Sequence, residues 1–351
     1  MPDARKTLTR YTIETEHRHP DSTGDFSGLL NAVATAVKMI ANQVHRGALV
    51  GTDAQNVRGE VPKRLDVLCD EILIGETEWG GHLAGMASEQ MTGIYPVPAR
   101  FRRGKYLLVF DPLNGSTNID VNMCVGTIFS VLRSPRPGDE ARAADFLQPG
   151  TEQVCAGFAL YGPSTVLVLT TGDGVDGFTL DRDIGAFVLT HPNMRIPAQT
   201  SEFAINSSNE RFWEPPVRRY VAECLAGRTG PRGKDFTMRW IASLVAEAFC
   251  ILSRGGVFLY PADSKDPGMP ERLRLMQQGN PIALIIEQAG GLASTGRGRL
   301  MDVRPTDLGE RAQVIFGSRA EVELIEQYHR EDAEPITEDF SLFNTRSLFR
   351  A

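Results

Sequence analysis

Cysteine is scarce in this chain of 351 residues: positions 69, 124, 155, 224 and 250 form no CxxC pair and leave an odd count. That excludes a disulfide framework and argues against structural zinc. No apolar run approaches the roughly 20 residues of a membrane helix, and residues 1–24 lack the apolar centre of a signal peptide, so a cytoplasmic setting is expected. Positive charge is also short. A net charge of -7 speaks against a dedicated nucleic-acid binder, although local clusters of Arg and Lys can still take an anionic small molecule. Internal repeats, coiled coil and low complexity are missing too. What remains is 42% hydrophobic and 23% charged, the balance of a globular protein. The length suits two ordinary domains or one large α/β unit.

The most informative stretch is Tyr106-Leu-Leu-Val-Phe110 followed by Asp111-Pro-Leu-Asn-Gly-Ser-Thr-Asn-Ile-Asp120. Five apolar or aromatic residues predict a buried strand. A carboxylate stands at its end, before a small polar turn that frees backbone N–H groups for an anion. Asp111 could hold a divalent cation beside that anion. Together they point to metal-assisted phosphate chemistry. The plain alternative is an Asp-Pro turn that closes a strand.

Around it the pattern alternates. Apolar positions Phe26 to Val44 keep helical spacing, with Ser22, Thr23 or Asp25 as the expected cap. A second helix is expected over Lys63 to Gly75 and carries Asp66 near its start. Strands are expected over Val125 to Arg133, Gly157 to Tyr161, Val166 to Thr170 and Gly177 to Leu180. Beyond a proline-flanked connection at 192–197 come a strand at Phe203 and helices over Val217 to Cys224 and Ile241 to Leu252. A short strand Val257 to Tyr260 and a helix from Pro281 to Ala289 follow. The tail carries Phe340, Leu342, Phe343, Leu348 and Phe349, apolar residues that suggest docking onto the body or a neighbouring subunit.

Several segments together resemble class 1 fructose-1,6-bisphosphatase. They are Leu65-Asp66-Val-Leu, Ala87-Ser88-Glu89, Gly104-Lys-Tyr-Leu-Leu-Val-Phe-Asp111-Pro-Leu-Asn-Gly-Ser-Thr-Asn-Ile-Asp120, Val125-Gly-Thr-Ile-Phe129, Arg239-Trp-Ile-Ala-Ser243, Gly255-Gly-Val-Phe-Leu-Tyr260, Asn280-Pro and Glu287-Gln-Ala-Gly-Gly291. The likeness is colinear from residue 8 to residue 330. It implies an α/β layered sugar-phosphatase fold of alternating helix and sheet layers with mixed sheets. Residues 1–197 would form an N-terminal regulatory domain carrying the metal and phosphate turn. Residues 198–332 would form a C-terminal catalytic, sugar-phosphate-binding domain, with 333–351 as a tail. A homotetramer and Mg2+, with Mn2+ as a substitute, are implied as well.

By this resemblance Glu89, Asp111 and the Leu113 carbonyl hold metal, while Asp66 orients or deprotonates the attacking water. Asn114, Gly115, Ser116 and Thr117 would hold the 1-phosphate, and Asn206, Tyr260 and Arg272 the sugar and its 6-phosphate. Arg239 would reach the 6-phosphate of an adjacent subunit. Thr23, Gly24, Lys105, Tyr106 and Arg133 match an AMP-binding pocket. Three positions depart from the family: Asn114, Gln90 and Gln278 stand where it has metal-binding carboxylates. The expected activity is hydrolysis of the 1-phosphate of fructose 1,6-bisphosphate, in gluconeogenesis or the Calvin cycle. The amides leave a second reading, a catalytically impaired homologue that acts as a sugar-phosphate-binding or regulatory subunit. Sedoheptulose 1,7-bisphosphate stays open as a further substrate.

Overall fold

Side chains along the strands alternate between two cores, and this alternation builds the layers. The computed structural model describes residues 5–16, 24–47, 60–269, 271 and 273–333. Thr23, Arg272, the loop at 48–59 and the tail from 334 lie outside the described residues.

Three helices open the chain: α1 (Leu8–Glu16), α2 (Asp25–Arg46) and α3 (Glu60–Thr77). The large sheet contains β1 (Leu83–Ser88), β2 (Tyr95–Pro96), β3 (Tyr106–Asn114), β4 (Val125–Arg133), β5 (Gln153–Tyr161), β6 (Thr165–Thr170), β7 (Asp176–Asp181) and β8 (Ala186–His191). A single-turn helix α4 (Ala143–Phe146) lies between β4 and β5. The strand order is β2-β1-β3-β4-β5-β6-β7-β8, with β1 parallel to β3 and the other pairs antiparallel.

The second half supplies β9 (Glu202–Ala204), α5 (Pro215–Ala226), β10 (Thr237–Met238), α6 (Leu244–Arg254), β11 (Val257–Tyr260), β12 (Leu273–Arg274), α7 (Asn280–Gln288), β13 (Leu292–Ser294), β14 (Arg311–Ala312), β15 (Val314–Gly317) and α8 (Arg319–Ala333). Its main sheet runs β10-β9-β11-β15-β13, parallel at β10/β9 and β9/β11 and antiparallel at the other two pairs.

Phe129 and Val131 of β4 pack with α1, α2 and α3, whereas Ile128 points to the other side with α6 and α7. In β11, Phe258 joins that same central core while Val257 and Leu259 pack with α5 and α8. The order is therefore helix, sheet, helix, sheet, helix. This is the expected α/β layering with mixed sheets. Period-two alternation can satisfy two cores only when both faces of each sheet are covered. No helix among the described residues is long and apolar enough to cross a membrane.

Three local expectations shift. The strand expected to stop at Phe110 continues to Asn114. The helix expected from Ile241 begins at Leu244, because Ala242 takes a positive φ of 58°, a left-handed conformation outside the helical region. The cap of α2 is Gly24, with φ 76° and no side-chain cap from its own residue. Instead Glu16, at the end of α1, accepts Gly24 N–H at 2.5 Å and the Ser27 hydroxyl at 2.7 Å.

Candidate active site

β3 carries its proline where the ladder to the neighbouring strand is broken. Pairing with β4 shifts register between Asp111 and Asn114, and the Pro112 carbonyl accepts the Thr127 hydroxyl at 2.8 Å. Thr127 is held in turn by Tyr161, with the two hydroxyls 2.7 Å apart. The strand therefore delivers Asp111, buried, straight into the turn. Gly115, at φ 75°, makes the bend that starts a 3-10 helix over Ser116–Val121; only glycine adopts this conformation at low cost.

Asp66 arrives from α3 and Glu89 from the end of β1. Ser116, on the turn, stands near enough to Asp66 for its hydroxyl to act on the carboxyl. Burial pushes Asp66 up to about 6; the Ser116 hydroxyl opposes this and the charge of Glu89 adds to it. Asp66 Oδ1 is buried with no partner, an uncommon state for a polar atom unless a ligand or water completes it. The Glu89 N–H donates to the Phe110 carbonyl at 2.9 Å, which ties the acid to β3. Asp111 is likewise pushed to about 6 by burial, against hydrogen bonds from Gln278 and Asn114 and with Glu89 and Asp66 adding to the rise. The charge of Glu89 thus acts on both aspartates.

The amides face these acids. Gln278 Nε2 donates to Asp111 Oδ2 at 2.7 Å and Asn114 Nδ2 to the same oxygen at 3.0 Å. Gln90 Nε2 donates to Glu89 Oε2 at 2.9 Å. Arg274, which the sequence reading did not single out as a site residue, places Nε 3.6 Å from Glu89 Oε1 and is anchored by the Gly309 carbonyl at 3.0 Å. Its approach depends on partners distant in sequence, so no motif announced it. Leu113 is buried within the shifted part of β3, and Thr117 is exposed on the turn.

A second cluster forms a small cleft lined by Asn206, Asn209, Trp240, Tyr260 and Asp263. Trp240 stacks on Phe258 with ring centroids 5.9 Å apart, and Tyr260 packs on both rings. The segment Arg239–Ser243 links the cleft to the turn. Asn118 Nδ2 bonds the Ala242 carbonyl at 3.2 Å, and a Cβ on Gly115 would stand 3.5 Å from Ser243 Cβ. Ser243 heads α6, and its buried hydroxyl has no partner. Arg239 points elsewhere: it is exposed and pairs with Glu202 at 2.8 Å.

The third group lies far from both, at the start of α2. Lys105 is 3.3 Å from Asp25, next to Gly24, and Tyr106 sits opposite Arg133 in the β3/β4 ladder.

The donor set is mixed, two carboxylates with amide and carbonyl oxygens, and suits a hard divalent cation. Among the described residues no three acidic, histidine or cysteine side chains form a metal-binding cluster. Glu89 and Asp111 nevertheless adjoin Asn114, whose Oδ1 is buried and unpartnered. Oxygen donors of this kind suit magnesium.

The chain matches the family described as fructose-1-6-bisphosphatase, N-terminal domain, over residues 6–192, and the C-terminal domain of the same name over residues 196–330. It is 60% identical over 350 residues to the fructose-1,6-bisphosphatase class 1 of Hydrogenophilus thermoluteolus, covering 98% of this chain and 97% of that protein. The chain belongs to the class 1 fructose-1,6-bisphosphatase family. A Methylibium petroleiphilum fructose-1,6-bisphosphatase class 1 is 56% identical over 354 residues, 99% of each chain. The fold agrees with the Leishmania major fructose-1,6-bisphosphatase in holo form at a TM-score of 0.84 and 36% identity, over 93% of this chain and 99% of that one. The T-state form of that enzyme gives 0.82. Fructose-1,6-bisphosphatases are phosphoric monoester hydrolases, and no finding favours the regulatory-subunit reading over enzyme activity.

Proposed function

We propose that the chain hydrolyses the 1-phosphate of fructose 1,6-bisphosphate, giving fructose 6-phosphate and inorganic phosphate. The observation that carries this reading is the meeting of Asp66, Glu89 and Asp111 at the turn Asn114–Thr117, with Ser116 beside Asp66. An acid, a cation-binding carboxylate pair and a phosphate cradle at one point are what the reaction requires.

Each residue then has a task. The unpartnered Asp66 Oδ1 holds the attacking water and takes its proton. Gly115, Ser116 and Thr117 hold the 1-phosphate through backbone N–H groups beside the N-terminus of α6, where the helix dipole favours an anion. Glu89, Asp111, the Leu113 carbonyl and Asn114 hold a divalent cation, Mg2+ or Mn2+. That ion supplies positive charge to offset what develops on the transferred oxygens. Asn206, Tyr260 and Arg272 bind the sugar and its 6-phosphate. Arg239 reaches a neighbouring subunit's 6-phosphate within a homotetramer; its exposure on the single chain supports that direction. Gly24, Lys105, Tyr106 and Arg133, with Thr23, form an AMP effector pocket. The domains divide near residue 197. The setting is cytoplasmic and the pathway gluconeogenesis or the Calvin cycle.

The test is release of inorganic phosphate from fructose 1,6-bisphosphate by the purified chain, titrated with Mg2+ and with Mn2+. Turnover that produces fructose 6-phosphate is expected. Its absence at every concentration of both ions would overturn the proposal.

A further inference from the structure

Three amides at the site do not merely lack charge; each turns its NH2 group onto a retained acid. Gln278 is the most constrained. Its Oε1 accepts the Arg274 N–H at 2.9 Å while its Nε2 donates to Asp111 at 2.7 Å. Rotating the amide would set oxygen against carboxylate and NH2 against N–H, losing both bonds and creating two repulsions. Gln278 therefore turns its NH2 group, not its oxygen, toward Asp111. Gln90 is likewise turned, with Nε2 on Glu89. Asn114 is different: its Nδ2 is used on Asp111, but its buried Oδ1 has no partner.

Charge points the same way. The ligand acids are Glu89 and Asp111, which match one dication, and Arg274 already stands 3.6 Å from Glu89. Two adjacent dications repel about four times as strongly as two unit charges at the same separation, and the third carboxylate that the described residues bring to this site, Asp66, is the acid proposed to act on water.

We propose that the site takes a single divalent cation, on Glu89, Asp111 and Asn114, and that Gln278 replaces a second one as an internal donor to Asp111. The inference rests on the hydrolase reading for the identity of the site. The Gln278 bond also holds Asp111 in place before any ion binds, so the metal-free site is built in advance.

The probe is Mn2+, titrated into the metal-free full chain and counted by electron paramagnetic resonance of the free ion and by calorimetry. One Mn2+ per native chain is expected. Gln278→Glu should bind two, and without metal it should unfold several degrees lower, with Mn2+ reversing the loss. Gln278→Leu, which removes the donor and adds no ligand, should stay at one. Asn114→Ala should weaken the single site at least tenfold. Two ions on the native chain, none at all, or an unchanged count of one in Gln278→Glu would overturn the inference. Phosphate release separates the two readings. One bound ion without turnover supports the count and overturns the hydrolase. Two ions with turnover do the reverse.

Discussion

Ser116 stands beside Asp66 and holds its carboxyl down against burial, so the turn proposed to hold phosphate also acts on the acid proposed to take the water's proton. The two elements involved, α3 and the 3-10 helix after β3, are brought together by packing, which sets the acid beside the turn.

Asp66→Asn keeps the shape and the partner but removes the base. Its kcat should fall by about 10²–10⁴, the usual range for loss of a general base, with KM within a few-fold of the native value. Ser116→Ala keeps the backbone N–H proposed to hold phosphate and removes only the hydroxyl beside Asp66, so KM should stay within a few-fold and kcat should fall less than in Asp66→Asn. Steady-state phosphate release from fructose 1,6-bisphosphate distinguishes the patterns; a KM effect alone in Asp66→Asn would remove the acid from the mechanism.

Gly309 tests the role of Arg274. A Cβ at 309 would stand 2.6 Å from Arg274 Nη1, and the flexible guanidinium can move away at little cost. Gly309→Ala, at a half-buried position where the added Cβ also stands 3.2 Å from Asp307 Oδ1, should therefore destabilise by about 1 kcal/mol, the usual size for a single substitution. Arg274 would withdraw from Glu89, and Mn2+ affinity should rise several-fold because a competing cation has left. Calorimetry of the metal-free variant measures this, and weaker Mn2+ binding would show that Arg274 positions Glu89 rather than competing for it.

Much of this was legible in the sequence, for reasons that differ by residue. Val257, Phe258, Leu259 and Tyr260 announce a strand by composition, and their division between two cores follows from side-chain alternation. Asp66, Glu89 and Asp111 stood out because their neighbours form a motif. The extension of β3 through Pro112 did not, since proline normally ends a ladder and the hydroxyl that satisfies its carbonyl is on Thr127, in the next strand. Nor did the later start of α6: Ile241 and Ala242 read as helix, but Asn118 holds their carbonyls and Glu247 the Ile241 N–H. The amide orientations were hidden for the same reason. Gln278 meets Asp111 across 167 positions, and no local pattern reports which end of an amide faces a carboxylate.

Glu247 predicts a pH dependence. It is buried in α6, and its Oε1 accepts the Ile241 N–H at 2.6 Å. Burial raises its carboxyl from 4.5 to about 7 against that hydrogen bond. Because the folded value exceeds the ordinary one, its contribution to stability is whole below 4.5 and is lost as pH rises through 7. Glu247→Gln, which cannot ionise, should match the native chain near pH 4.5 and exceed it at pH 8. The gain in thermal midpoint should be roughly 2–4 °C per kcal/mol recovered. Differential scanning calorimetry across this range checks it, and a variant that is less stable at pH 8 would contradict the buried-charge explanation.

Glu16 bears on regulation. Its carboxylate takes the Gly24 N–H and the Ser27 hydroxyl, the donors at the start of α2 that a nucleotide phosphate would need. Lys105 and Asp25 stand beside them. An AMP phosphate entering there must displace this internal anion, so the native affinity is lowered by the cost of moving Glu16. Glu16→Gln keeps the size and an acceptor but drops the charge, and charge-assisted hydrogen bonds are roughly twice as strong as neutral ones. The variant should bind AMP several-fold more tightly in calorimetry, while Lys105→Ala should bind it at least tenfold more weakly. The Lys105–Asp25 pair is partly exposed and contributes under about 1 kcal/mol to folding, so the Lys105→Ala loss would report on the nucleotide and not on unfolding. Unchanged affinity in Glu16→Gln would mean that the phosphate does not use the α2 terminus, and a native chain that takes up no AMP would remove the effector pocket altogether.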